Sequence, residues 1–274
     1  MSGDIVLSAG VRANLLQLQK TSTLITETQT KLATGKRVNS ALDNPVNFFT
    51  AQGLSNRASD LGNLLDSMSS AFNTIQAANN GITSITKLVQ SAQALISQAQ
   101  QTSDTTTRSN LATQFGKILS QVDQLAGDSG FNGINLLDKN NSTDLTVTLN
   151  EKGTSSVTVA AVDFSSNGLA INNAANNWGG TSDITAASTD LTNALTTLRS
   201  QSQAFGSNLS TVQIRQDFTK ATINTLQTGA DNLTLADSNE EGANLLALQT
   251  RQQLSTTALS LASQASQAVL RLFG

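Results

Sequence analysis

The chain has 274 residues, of which 38% are apolar, 13% charged and 4% aromatic; it contains no His, Cys or Tyr and carries a net charge of −3. Without His and Cys there is no Ser-His-Asp or Cys-His nucleophile, no histidine metal cluster, no disulfide and no expected cofactor. The 16 Lys and Arg residues are spread too thinly to neutralise a phosphate backbone, and no apolar run reaches about 18 residues, so neither nucleic-acid binding nor membrane insertion is expected.

The opening segment, MSGDIVLSAGVRANLLQLQ, lacks the basic start and continuous apolar core of a cleavable signal peptide. If the protein is secreted, it is expected to leave without losing its N-terminus. From Leu7 an apolar ladder steps by four and three through Val11, Asn14, Leu18, Thr21, Ile25, Thr28 and Leu32. This predicts a first helix over residues 4–33.

The helix is interrupted at KLATGKRVNSALDNPVNFF, residues 31–49, which holds the one proline of the chain. Gly35 fits a helix C-cap, with Lys36 and Arg37 at the negative end of the dipole. Asp43 or Asn44 can cap the next helix, and Pro45 suits its first turn, where a missing N–H costs nothing. Together Gly35, Arg37, Asn39, Ser40, Asp43 and Pro45 read as an inter-domain linker. Within it Gly35, Arg37 and Asp43 are expected to set the angle between the segments on either side.

A second helix over residues 45–101 follows, with the seam Leu54, Ala58, Leu61, Leu65, Met68, Phe72, Ile75, Asn79, Ile82, Thr86, Val89, Gln93 and Ile96. At about 1.5 Å per residue it would reach roughly 85 Å, which predicts a rod. A shorter seam runs Leu111, Phe115, Ile118, Val122, Leu125. The period then changes to two: Leu145, Val147 and Leu149, then Val157 and Val159, alternate with polar residues across a turn at Gly153. This predicts a β-hairpin. After it, INNAANNWGGTSD reads as a polar loop, in which Trp178 fits a local packing anchor as well as it fits a binding residue.

The returning helix carries Leu191, Leu195, Leu198, Ser202, Phe205, Leu209, Val212, Gln216, Thr219, Ile223, Leu226, Ala230 and Leu233. The last helix, over residues 239–272, carries Ala247, Arg251, Leu254, Ala258, Leu261, Ala265, Ala268 and Leu272. An average step of 3.5 residues implies left-handed coiling of packed helices. The fold class is therefore mainly α: a coiled-coil-like helical rod with a small β-hairpin region, plus paired N- and C-terminal helices. The expected division is residues 1–44, an outgoing arm 45–182, a returning helix 183–236 and a C-terminal helix 237–274.

Two terminal helices alone bury little, and isolated helices are marginal in water. Their seams call for further copies of the chain, and a heterologous contact that does not close yields a filament. Leu7, Val11, Leu18, Ile25 and Leu32, with Leu254, Ala258, Leu261, Ala265 and Leu272, are the expected subunit-packing residues. Glu240 and Glu241, adjacent and so pointing apart on a helix, form no carboxylate pair; with Asp237 they suit the first turn of the last helix. The glycines follow no phosphate-loop spacing. The triplets beginning at Asn141, Asn208 and Asn232 match the glycosylation pattern, as short triplets do by chance in an Asn-rich chain.

The residues of the interruption, Leu32, Thr34, Gly35, Arg37, Asn39, Ser40, Ala41 and Asp43, resemble the N-terminal motif of bacterial flagellins, the subunits of flagellar filaments. Phe131, Asn132 and Gly133 are similar to a family element before the hairpin, and residues 239–273 resemble the family's last helix. The resemblance implies a homopolymeric, extracellular filament that serves swimming. It implies terminal helices in the filament core, and a minimal member without outer domains. It further implies passage through the flagellar export apparatus, a C-terminal export chaperone, and cap and hook-junction partners. Two departures bear on host immune receptors. Lys87, Val89 and Gln90 stand where many flagellins carry an arginine-rich epitope. Asn44, Pro45, Val46 and Asn47 replace the second half of the peptide that plants detect. Weak recognition by both kinds of receptor is expected. The alternatives are a hook–filament junction protein, made in few copies, and a monomeric helical-bundle adaptor, which would keep its binding without the first 40 residues.

Overall fold

The computed structural model describes residues 9–273, with the side chains of residue 266 and residues 269–273 outside that description. Among the described residues the order is α1 (Ala9–Thr34), α2 (Pro45–Gln101), α3 (Thr105–Asp128), β1 (Leu145–Thr148), β2 (Ser156–Val159), α4 (Thr181–Thr234) and α5 (Ser238–Phe273). The fold is mainly α with one small antiparallel sheet, as expected. The chain divides into two compact units, residues 1–57 with 225–274 and residues 58–224, the cuts falling inside α2 and α4.

The second unit holds the larger core. Every α2 seam residue from Ala58 to Ile96, and every α4 seam residue from Leu191 to Ile223, is buried or half-buried. Met68, Ile75 and Ile85 of α2, Phe115 of α3, and Leu191, Leu198 and Phe205 of α4 are fully enclosed in one continuous cluster. At ~25 cal/mol per Å² of apolar surface, side chains of this size each favour the folded unit by roughly 1.5–3 kcal/mol. The seams have polar interruptions: Asn79 and Ser202 bond to each other, and Gln216 reaches the exposed Ser69 beside the α2 seam. Ser202 Oγ donates to Asn79 Oδ1 at 2.8 Å, and Gln216 Nε2 to Ser69 Oγ at 3.3 Å.

Local signals place the shorter elements. Asp104 caps α3 by accepting from the Thr107 amide at 2.7 Å, and Arg108 Nε closes the end of α2 by donating to the Thr102 carbonyl at 2.8 Å. The hairpin pairs Leu145 with Val159 and Val147 with Val157, and Gly153 occupies its turn at φ +67°. Gly81 of α2 is fixed by close approach: a Cβ there would lie 2.2 Å from Ser129 Oγ.

The expected polar loop before α4 contains a short 3-10 turn, Ala175–Trp178, whose last three residues have positive φ. Trp178 is fully buried, its ring 5.1 Å from that of Phe115. It is a packing anchor.

Candidate assembly surface

The first unit brings together the interruption after α1 and the short joint between α4 and α5. Gly35 takes φ +67°, a left-handed conformation that ends α1 at little cost only for a residue without a Cβ. Lys36 then bridges to Leu235 in antiparallel fashion. The Arg37 amide donates to the Thr234 carbonyl at 2.8 Å, and Ala236 donates to the Gly35 carbonyl at 3.0 Å. These bonds satisfy carbonyls that both helix ends would otherwise leave open. Arg37 adds a side-chain bond from Nη2 to the Asn232 carbonyl at 3.2 Å, at the negative end of α4. Val38, buried at 5% exposure, anchors the segment.

Asp43 and Asn44 divide the capping work. Asn44 Oδ1 accepts from the Asn47 amide at 2.9 Å and caps α2, with Pro45 as the first helical residue. Asp43 Oδ2 closes the turn, accepting from the Asn39 and Ser40 amides at 2.9 Å each. Those N–H donors, Asn39 first, hold the exposed Asp43 carboxyl below the ordinary value of 3.8. Asn39 Nδ2 donates in turn to the Lys36 carbonyl at 3.0 Å. A groove of about 540 Å³ lies beside this turn, lined by Glu27 and Lys31 of α1 and by Arg37 and Asp43. All six linker residues of the sequence reading thus fall in one hydrogen-bonded corner.

The expected packing residues separate into two groups. α1 packs on α5, and Val11, Leu18, Ile25 and Leu32 are half-buried on the face that holds the buried Thr21 and Thr28. Leu254, Ala258, Leu261 and Ala265 of α5 are exposed. The inward face of α5 instead carries the half-buried Leu245, Leu248, Ser255, Leu259 and Ala262, one residue out of phase with the predicted seam. Leu7, and the side chain of Leu272, lie outside the described residues.

Sequence reasoning missed three features. Lys31 Nζ meets Glu241 Oε1 at 3.3 Å and ties α1 to the first turn of α5; only a known α1–α5 register would have shown it. Asp237 Oδ1 caps α5 by accepting from the Asn239 amide at 2.9 Å, a role beyond the dipole contribution expected for it. Leu246, outside the predicted seam and exposed at 69%, extends the outer side of α5 that the predicted Leu254 and Leu261 line at 67% and 61%, and Leu15 and Leu16 add exposed apolar surface on α1.

The chain matches the bacterial flagellin N-terminal helical region over residues 10–142 and the bacterial flagellin C-terminal helical region over residues 185–273. The chain belongs to the bacterial flagellin family. It is 33% identical to flagellin FljK of Caulobacter vibrioides over 279 aligned positions and 32% identical to flagellin FljM of the same organism over 271, each alignment covering 98% of both chains. A crystal structure of Bacillus cereus flagellin is 21% identical, with a TM-score of 0.48, covering 57% of this chain and 88% of that one.

Flagellins are structural proteins, and this one is a subunit of the flagellar filament, outside the cell. The two matched regions contain both terminal helices and the Gly35–Pro45 corner. The residues between the matches include the hairpin and Trp178. Among the described residues, no helix is long and apolar enough to cross a membrane.

Proposed function

We propose that this flagellin builds its filament through the terminal helices, with the outer side of α5 meeting neighbouring copies while α1 covers the inner side. One observation carries the reading. Leu246, Leu254 and Leu261 repeat at seven- to eight-residue intervals and are each more than 60% exposed. A stripe of large apolar side chains open to water marks a contact surface, and in a chain of this family copies of itself are the available partner. Residues 1–44 and 237–274 would form the filament-core domain and residues 45–236 a second domain, divided where the Gly35–Pro45 corner meets the Leu235–Asp237 joint.

The chain would work without catalysis or cofactor, as befits a sequence with no His or Cys. Passage through the flagellar export apparatus is the route that membership of this family suggests. The long exposed face of α5 suits capture by an export chaperone before assembly beneath the cap. Lys87, Val89 and Gln90, and the Asn44–Asn47 stretch, support weak recognition by host immune receptors.

The test is the pair of substitutions Leu254→Asp and Leu261→Asp in one chain. Both residues already face water, so helix content and thermal stability should stay close to those of the unaltered protein while seeded polymerisation is lost. Normal filaments from that variant would refute the assignment of α5.

A further inference from the structure

Polymerisation without closure needs two different, complementary surfaces on each copy, since a heterologous contact joins unlike patches. Beyond α1 and α5, the described residues offer two compact apolar patches. The first lies at the start of α2 in the first unit. Val46 and Phe49 are exposed at 73% and 61%, and Leu42 in the preceding turn at 96%. The Phe49 ring is held edge-on against the half-buried Phe48, with centroids 5.5 Å apart, so it is presented in a defined orientation. Gly53 follows Phe49 by four residues on the same face, and a Cβ built there would meet nothing within 4 Å. The face is thus two apolar knobs beside a hollow. The second patch is on α4 in the second unit, where Ile214 and Phe218, four residues apart, are exposed at 65% and 63%.

Each patch has charges of both signs beside it, Asp43 and Arg57 at the first and Arg215, Asp217 and Lys220 at the second, with Lys220 paired to Asp217; Asp43 and Arg215 are of opposite sign. Asp43 lies next to Leu42, its carboxylate held in place by the Asn39 and Ser40 amides. Arg215 lies next to Ile214, exposed and with no ion pair or hydrogen bond from its side chain among the described residues. Each patch also has the form that helix packing needs. Ridges three and four residues apart on one helix fit the groove of another, and a glycine lets the opposing ring approach the backbone.

We infer that the Val46–Phe49–Gly53 face of one copy receives the Ile214–Phe218 ridge of a second copy, with Asp43 opposite the neighbour's Arg215. The inference rests on the filament reading above and adds a contact separate from α5. It makes the start of α2, where the sequence departs from the family motif at Asn44–Asn47, a surface that sets which copies can join. The neighbour's Phe218 occupies the hollow over Gly53.

Three measurements test it on the full chain. Hydroxyl-radical oxidation of unmodified protein, read by mass spectrometry in free chains and in seeded filaments, should show Phe49 and Phe218 both protected about tenfold on assembly, as side chains in a closed interface core are. Oxidation of either ring in filaments at the rate of the free chain overturns the pairing while leaving the filament reading intact. Failure to form any filament removes that reading and this one with it.

Because the chain has no cysteine, Gly53→Cys and Phe218→Cys variants can be copolymerised on unmodified seeds and oxidised. A covalent dimer of one variant with the other is expected. Dimers of Gly53→Cys with itself, or with a Leu254→Cys variant in place of Phe218→Cys, overturn the assignment. Gly53→Leu separates folding from docking, since Leu favours helix over Gly at an exposed position. The variant should melt higher as a free chain yet need about tenfold more protein to polymerise, a loss of roughly 1.4 kcal/mol. An unchanged critical concentration contradicts the proposal.

Discussion

The Arg37 side chain donates to the Asn232 carbonyl at 3.2 Å while the Arg37 amide donates to Thr234 at 2.8 Å, so one residue grips the end of α4 twice. Only the first grip depends on the guanidinium. In Arg37→Ala the backbone bridge of Lys36 with Leu235 and the bond from Ala236 to Gly35 remain available. Thermal denaturation should show a loss of no more than about 1 kcal/mol, the net value of one exposed hydrogen bond. Seeded filament formation should fall severalfold, because the corner's set depends on that side chain. Equal filament yield at equal stability would remove Arg37 from the assembly machinery.

Asp43 gives the corner an acid limit. Its pKa is depressed by N–H groups that donate to the ionised form, the Asn39 amide first and the Ser40 amide next. A depressed carboxyl contributes stability that is present above the unfolded value, 3.8 here, and is lost as pH falls through the lower folded value. Carboxyl NMR should therefore place the Asp43 midpoint below 3.8, with amide protection at Asn39 and Ser40 lost over the same range. The Asp43→Asn variant should lack that acid step. A midpoint at or above 3.8 would show that the turn does not hold the carboxylate.

The Ser202–Asn79 bond, 2.8 Å long between two half-buried residues, joins α4 to α2 inside an apolar seam. Removing one partner leaves the other short of a hydrogen bond in a confined place. Ser202→Ala should cost about 1 kcal/mol. Asn79→Leu together with Ser202→Ala should recover most of it, since two apolar residues then face each other. Chemical denaturation of the two single variants and the double variant forms the cycle that measures the coupling. Additive losses would mean that the two residues act separately.

The helices were legible because heptad-like spacing survives in the sequence even where the residues are polar. Asn79 and Ser202 interrupt their seams, yet each sits at the expected step, and their mutual bond explains how both seams tolerate them. The corner was legible from Gly35, Asp43 and Pro45, because left-handed φ, turn closure and a fixed first helical φ each require particular residue types. The sharing of work between Asp43 and Asn44 was not, since either side chain can cap. On α5 the stepwise count picked the outward side. Leu245 and Leu248 lie beside Leu246 and Ala247, so two apolar phases compete, and only packing on α1 chooses between them. Trp178 was ambiguous for a different reason. Its burial depends on three residues in left-handed conformation, a loop path that no periodicity encodes.

Electron microscopy of the purified chain after seeding is the most direct measurement of the central claim. Long hollow filaments built from this one polypeptide are expected, growing until free chain is depleted. Persistent monomers, or closed oligomers of fixed size, would contradict the claim.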